Sequence, residues 1–124
     1  MTSRYSREAY NEFFLNDFIG RPQDLKNAIL DTNYVGGYTN TADGIRYASD
    51  EQFTPLNGDR LDVPNVMIVI TDGASNINDG QTVPNAIEAR RRGTTVNITK
   101  LWRILSKYIL LCIIYFHYLN IYIV

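Results

Sequence analysis

Histidine and cysteine are nearly missing from this 124-residue chain: Cys112 and His117 are single occurrences, both near the carboxyl end. One cysteine excludes an intrachain disulfide and leaves the redox compartment unread. Residues 1–99 hold no histidine at all, and His117, set in apolar surroundings, has no companion ligand. Acidic residues are missing from the end of the chain: residues 100–124 carry 3 basic side chains and no acid, whereas residues 1–99 carry 9 basic and 13 acidic ones. A formal net charge of -1 therefore hides two different materials. Long apolar runs are missing from the start, MTSRYSREAYNEFFLNDFIG, so no export signal is expected within it.

The remainder is ordinary for one globular domain, with 45% hydrophobic and 20% charged residues. Pro22 suits a first helical turn, and Leu25, Ala28 and Ile29 recur at helical spacing through PQDLKNAILD. VGGYTNTADGIRYASDEQF opens on glycines and hydroxyl residues and turns helical, with Ala42, Ile45 and Ala48 on one face and Asn40 or a neighbouring threonine as cap. TPLNGDRLDVPN is a loop. VMIVIT, apolar but for its last residue and rich in β-branched side chains, reads as a strand buried on both faces of a parallel sheet.

After GASNINDGQ, Thr82 is placed to cap a helix through VPNAIEARRR, with Val83, Ala86, Ile87 and Arg90 sharing a face. Gly93 is its expected stop. Arg90, Arg91 and Arg92 read as a solvated helix end that complements the dipole, not as a nucleic-acid patch. TTVNIT is a further strand. This alternation belongs to an α/β fold with a parallel sheet, in which ligands gather at the carboxyl ends of the strands. Asp72 stands at such an end. A carboxylate there either opens a turn, with Gly73 supplying the unusual dihedral, or binds a cation, because burying it bare costs several kcal/mol.

GGYTNTADGI, followed by VMIVITDGASN and a helix ending EARRRGTTV, resembles the von Willebrand factor type A domain over roughly Tyr10 to Thr99. The phrasing is similar to the extracellular-matrix branch, the matrilins and collagen VI. The resemblance implies a doubly wound, Rossmann-like parallel sheet flanked by helices, and a non-enzymatic adhesion module that binds extracellular-matrix or cell-surface proteins. It also implies a metal-ion-dependent adhesion site, in which Thr39 and Asp72 match two of the ligand positions. Magnesium is the expected ion, with manganese or calcium as substitutes, because such cations take hard oxygen ligands and accept a partner's carboxylate. Thr41 is read as a helix-start residue, Gly36 and Gly37 as points of close backbone approach, Asp43 as a first-turn acid and Asp79 as a cap or solvated group.

The departures from the family are equally specific. No Asp-x-Ser-x-Ser occurs, and SRYSREAY shows no hydrophobic strand, so the chain reads as truncated at both ends, entering at the family's third strand with YNEFFLND. The metal site is then incomplete and its ion weakly held or lost. Without a first strand beside it, VMIVIT would become an unpaired edge, an aggregation hazard. Residues 1–99 are taken as the partial domain and residues 100–124 as a hydrophobic tail, of which 19 of 25 residues are apolar or aromatic. Three readings of the tail stay open: a membrane anchor over Tyr108–Val124, a mispredicted exon, and an alternative end of the fold. Location outside the cell follows from the resemblance, with membrane anchoring as the alternative. Asn97-Ile98-Thr99 is a glycosylation sequon, expected to be unused because its strand is expected to be buried.

Two other functions compete. A metal-dependent hydrolase would use Asp72 as a metal ligand, but residues 1–99 offer no second acid cluster, no nucleophile with a base and no histidine. A nucleotide-binding module would need G-x-G-x-x-G after a strand, and Gly36-Gly37 does not follow one.

Overall fold

The computed structural model describes residues 2–33, 36–71, 73–100 and 121–123. Strands β1 (Thr2–Tyr5) and β2 (Ala9–Phe13) form an antiparallel hairpin. Helices α1 (Pro22–Leu30) and α2 (Thr41–Tyr47) follow, and α2 continues into a π-helical turn over Ala48–Gln52. Strand β3 (Val66–Thr71), helix α3 (Asp79–Arg91) and strand β4 (Thr95–Lys100) make a βαβ unit, and β5 (Ile121–Ile123) completes a five-stranded sheet of order β2-β1-β5-β3-β4. β3 runs parallel to β4 in register along its whole length, Val66 opposite Thr95 through Thr71 opposite Lys100.

Helices α1 and α2 and strands β3 and β4 lie where the sequence pattern places them, with Asn40 as the α2 cap: its side chain accepts from the Asp43 N–H at 3.2 Å. The opening residues, from which no strand is expected, form β1. Ser3, buried on the inner side, and Tyr5, packed against the core, alternate with Thr2 and Arg4 as a half-buried strand requires. Nor is β3 an edge. Ile121–Ile123 pair in parallel with Val66–Ile68 on the side away from β4, and Ile123 also pairs with Thr2. Further along, the Tyr5 hydroxyl donates to the Ile70 carbonyl at 3.4 Å, so a side chain meets the β3 backbone there.

The core lies between the sheet and one helical layer. Ile45 and Ala48 from the α2 region meet Met67 and Val69 of β3, Ala89 of α3 and Val96 of β4, all buried. The opposite face of β3 carries Val66, Ile68 and Ile70, which are half-buried, so the strand is fully covered on one face and not on both. An unbroken apolar run conceals this, because the two faces differ only in what packs on them.

Helix α3 departs from the sequence reading in start and in face. It begins at Asp79 after Asn78, which takes a left-handed conformation (φ 50°), and Thr82 lies inside it. Val83 and Ile87 are exposed; Ala86 and Ala89 face the core, and Asn85 Nδ2 donates to the Ala42 carbonyl at 2.8 Å. Small residues let α2 and α3 approach closely enough for that bond, and the larger aliphatic pair is turned outward. The arginines at the helix end are also engaged: Arg92 bonds Asp50 at 2.7 Å and Glu88 at 3.1 Å, and Arg90 donates to the Val96 carbonyl at 3.1 Å. Hydrogen bonds to Asp50 and then Glu88 hold the Arg92 guanidinium above its ordinary pKa.

β4 is the outermost strand of the sheet order, and Asn97, Ile98 and Thr99 are exposed, against the expectation of burial. Tyr108–Val124, the stretch weighed as an anchor, lies outside the described residues apart from β5. Among the described residues no helix is long and apolar enough to cross a membrane.

Gly58 (φ 93°) closes the loop ahead of β3, and a Cβ there would stand 2.8 Å from the Asn16 backbone nitrogen and 2.9 Å from Asn16 Cβ. Gly93 (φ 91°) has the same handedness with nothing within 4 Å. Gly93→Ala is therefore expected to lower the unfolding free energy by about 1–2 kcal/mol, the cost of a left-handed alanine. Gly58→Ala adds an overpacking cost of roughly 1–3 kcal/mol. Urea denaturation of the two variants checks the difference, and equal losses would mean that the Leu15–Asn16 loop yields freely.

Candidate functional site

Three loops meet at one rim of the sheet. β1 and β3 both run parallel to β5, so their carboxyl ends lie on the same side. The turn Ser6–Glu8 leaves β1 there, the segment 36–40 enters α2, and Gly73 onward leaves β3.

Asn40 anchors the first two. Its N–H donates to the Ser6 carbonyl at 2.9 Å, its Nδ2 donates to the Arg7 carbonyl at 2.8 Å, and its Oδ1 caps α2. With every polar group engaged, a 4%-exposed asparagine is satisfied. Asp43, one turn into α2, closes the same hairpin. Its carboxylate accepts from the Ala9 N–H at 2.7 Å and from Arg46 at 2.6 Å. The Asp43 hydrogen bond is the largest cause holding the Arg46 guanidinium above its ordinary pKa. Asp43 is thus a tether between α2 and β2, as a first-turn acid with a further partner, and its oxygens are occupied.

Thr39 anchors the second pair of loops. Its N–H donates to Asn76 Oδ1 at 2.8 Å, and its carbonyl accepts from the Asn76 N–H at 2.9 Å. Ser75 Oγ lies 3.1 Å from that carbonyl and 3.2 Å from the Ile77 carbonyl, so its single proton serves one of them at a time. The loop after β3 thereby treats Thr39 as the partner of a short ladder. The loop is tightened at its root by Thr71, whose Oγ1 accepts from the Gly73 N–H at 3.3 Å and donates to the Gly73 carbonyl at 3.0 Å.

Thr39 is half-exposed, and its hydroxyl lies near Gly73: a Cβ there would lie 3.6 Å from Thr39 Oγ1. Among the described residues no hydrogen bond engages Thr39 Oγ1, although its backbone is bonded on both sides. Asp72 lies outside the described residues; Thr71 and Gly73, on either side of it in the sequence, are described. Thr41 is buried at the first position of α2, a helix-start residue. Gly37 is needed for its φ of 112°, not for close approach, since a Cβ would meet nothing within 4 Å. Asp79 is exposed in the first turn of α3. Beside Thr39, the Arg7 guanidinium sits over the Tyr38 ring, 4.8 Å from its centroid.

Asn76 and Ser75 were not singled out from the sequence. The signal available was the small polar run GASN, which marks a turn but does not say that one of its side chains will bond a backbone 37 positions away. Thr39 and the turn around Gly73 offer oxygen donors alone, the chemistry that fits a hard cation and not a zinc or copper centre. Among the described residues no group of three or more His, Cys, Asp and Glu side chains converges.

Removing the Asn76 acceptor takes the protein partner from the Thr39 N–H, a loss of about 0.5–1.5 kcal/mol for a bond that is open to water. In Asn76→Ala the Thr39 amide is expected to exchange its hydrogen roughly 2–12-fold faster, the factor that corresponds to that loss. The Ile45 amide, inside α2, should be unchanged. Hydrogen exchange read by NMR checks this, and an unaltered Thr39 rate would rule out the clasp.

Residues 2–101 match the model of the von Willebrand factor type A domain. Among curated proteins the chain is similar to integrin alpha-1 of Gallus gallus, at 37% identity over 76 residues, covering 60% of this chain and 26% of that one. It is similar to matrilin-1 of Gallus gallus at 38% over 72 residues, 58% of this chain and 14% of that one. The collagen alpha-6(VI) chain of Homo sapiens is 38% identical over 74 residues, 58% of this chain and 3% of that one. The chain thus spans about a quarter or less of the length of these relatives. With the family match running through both rim loops and the βαβ unit that carries them, this chain belongs to the von Willebrand factor type A domain family.

Proposed function

We propose that this domain is a non-enzymatic adhesion module that binds extracellular-matrix or cell-surface proteins through a divalent cation at the sheet rim. The observation that carries the reading is the clasp of Thr39 onto the loop after β3. It fixes the threonine backbone while leaving its hydroxyl, among the described residues, free of any hydrogen bond and close to Gly73, the residue that follows Asp72 in the chain. A bound ion supplies a positive centre that accepts a carboxylate from the partner protein.

In this reading the Asp72 carboxylate and the Thr39 hydroxyl hold the ion, and magnesium is preferred, with manganese or calcium as substitutes. Two protein oxygens leave most of a six-fold shell to water and partner, which suits magnesium, an ion that sheds water reluctantly. It also makes for weak retention. Support for the partner class comes from the relatives, which include integrin alpha chains, matrilin-1 and collagen VI chains. An extracellular location is part of the same proposal. The module is assigned to residues 1–99, and the hydrophobic stretch 100–124 lends Ile121–Ile123 to the sheet.

Calorimetric titration of the purified chain with magnesium tests the site. Binding is expected in the wild type, lost in Asp72→Ala and weakened about tenfold in Thr39→Ala, the equivalent of ~1.4 kcal/mol. Undiminished heat in Asp72→Ala would sink the metal assignment. Retention on immobilised matrix proteins should disappear with a chelator, and Asp72-dependent turnover of a phosphate ester would instead make the protein an enzyme.

A further inference from the structure

We propose that Asn97 carries an N-linked glycan on the open face of β4. Asn97-Ile98-Thr99 is the single Asn-x-Ser/Thr sequence in the chain. Two structural observations turn the pattern into a site.

The first is alternation. Val96 is buried at 3% exposure and faces the helical layer, and Ile98 shares its side of the strand. Thr95, Asn97 and Thr99 lie on the other face, and all three are exposed. The asparagine amide and the threonine hydroxyl therefore stand on the same side, two residues apart, in extended backbone. The second is position. β4 ends the sheet order, its described partner being β3 with Asn97 opposite Ile68. Helix α3 packs through Ala89 against the inner face, where Val96 points, and Arg90 donates to the Val96 carbonyl. A sugar on the outer face displaces none of these contacts.

The chemistry needs an oligosaccharide linked to a lipid pyrophosphate, supplied in the secretory compartment. The Asn97 amide nitrogen forms a bond to the anomeric carbon, the bond from that carbon to the pyrophosphate oxygen breaks, and one amide proton is released as the lipid pyrophosphate departs. A bulky hydrophilic group mid-strand also hinders pairing of other chains onto this outermost strand of the sheet order.

The test is secretion of the full chain from cultured human cells behind a heterologous signal peptide, alongside Asn97→Gln, Thr99→Ala and Thr99→Ser. One discrete increase in apparent mass is expected, removed by peptide-N-glycosidase, absent in Asn97→Gln and Thr99→Ala and kept in Thr99→Ser. Mass spectrometry should find Asn97 converted to aspartate after the enzyme treatment. Chain retained in the cell is assayed in lysate with endoglycosidase H, so a folding failure does not mask the result. Wild-type chain that enters the compartment and shows no enzyme-sensitive shift overturns the proposal.

Discussion

The packing of one face of β3 against α2 and α3 is the constraint on which the molecule depends. Met67 and Val69 are fully buried against Ile45, Ala48 and Ala89, each large aliphatic contributing about 1.5–3 kcal/mol by leaving water. This contact sets the height of α2 over the sheet. Asn40 caps α2 and bonds the β1–β2 turn, and Thr39 bonds the loop that leaves β3, so the depth of Ile45 in the core decides where Thr39 stands at the rim.

Polar bonding at the rim and apolar packing below it do different work. Asn40 and Asp43 join three pieces of chain through backbone and side-chain groups that would be costly to leave unpaired in a site shielded from water. The Thr39 hydroxyl is exempt from that bonding among the described residues. In a structure where neighbouring polar groups are used for assembly, an oxygen held in place by its own backbone and left available is suited to a ligand.

Local chemistry made much of the fold legible. Pro22 at a helix start, Asn40 as a cap, the glycine after EARRR and the β-branched run VMIVIT each act over a few residues, and the elements lie where they point. Pattern misleads where distant packing outweighs it. In α3 the aliphatic pair Val83 and Ile87 reads as the buried face, yet alanines take it because a close approach to α2 gains Asn85's bond to Ala42. In TTVNIT, composition indicates a strand but not an outer one, and so the exposure of Asn97 was hidden.

What the sequence by itself determined is the parts: which segments between Pro22 and Thr99 are helices and strands, that Thr39 lies in the loop leading into α2, and that Asn97 starts a sequon. These follow from propensities and spacings that act along the chain. Only the tertiary structure decided that Asn76 would hold Thr39, that Asp43 would be consumed by Ala9 and Arg46, and that Ile121–Ile123 would lie beside β3. Each of these joins residues more than thirty positions apart, apart from the local Asp43–Arg46 bond. No local preference records such a pairing; it forms where packing on the buried face of β3 brings distant segments together at its rim.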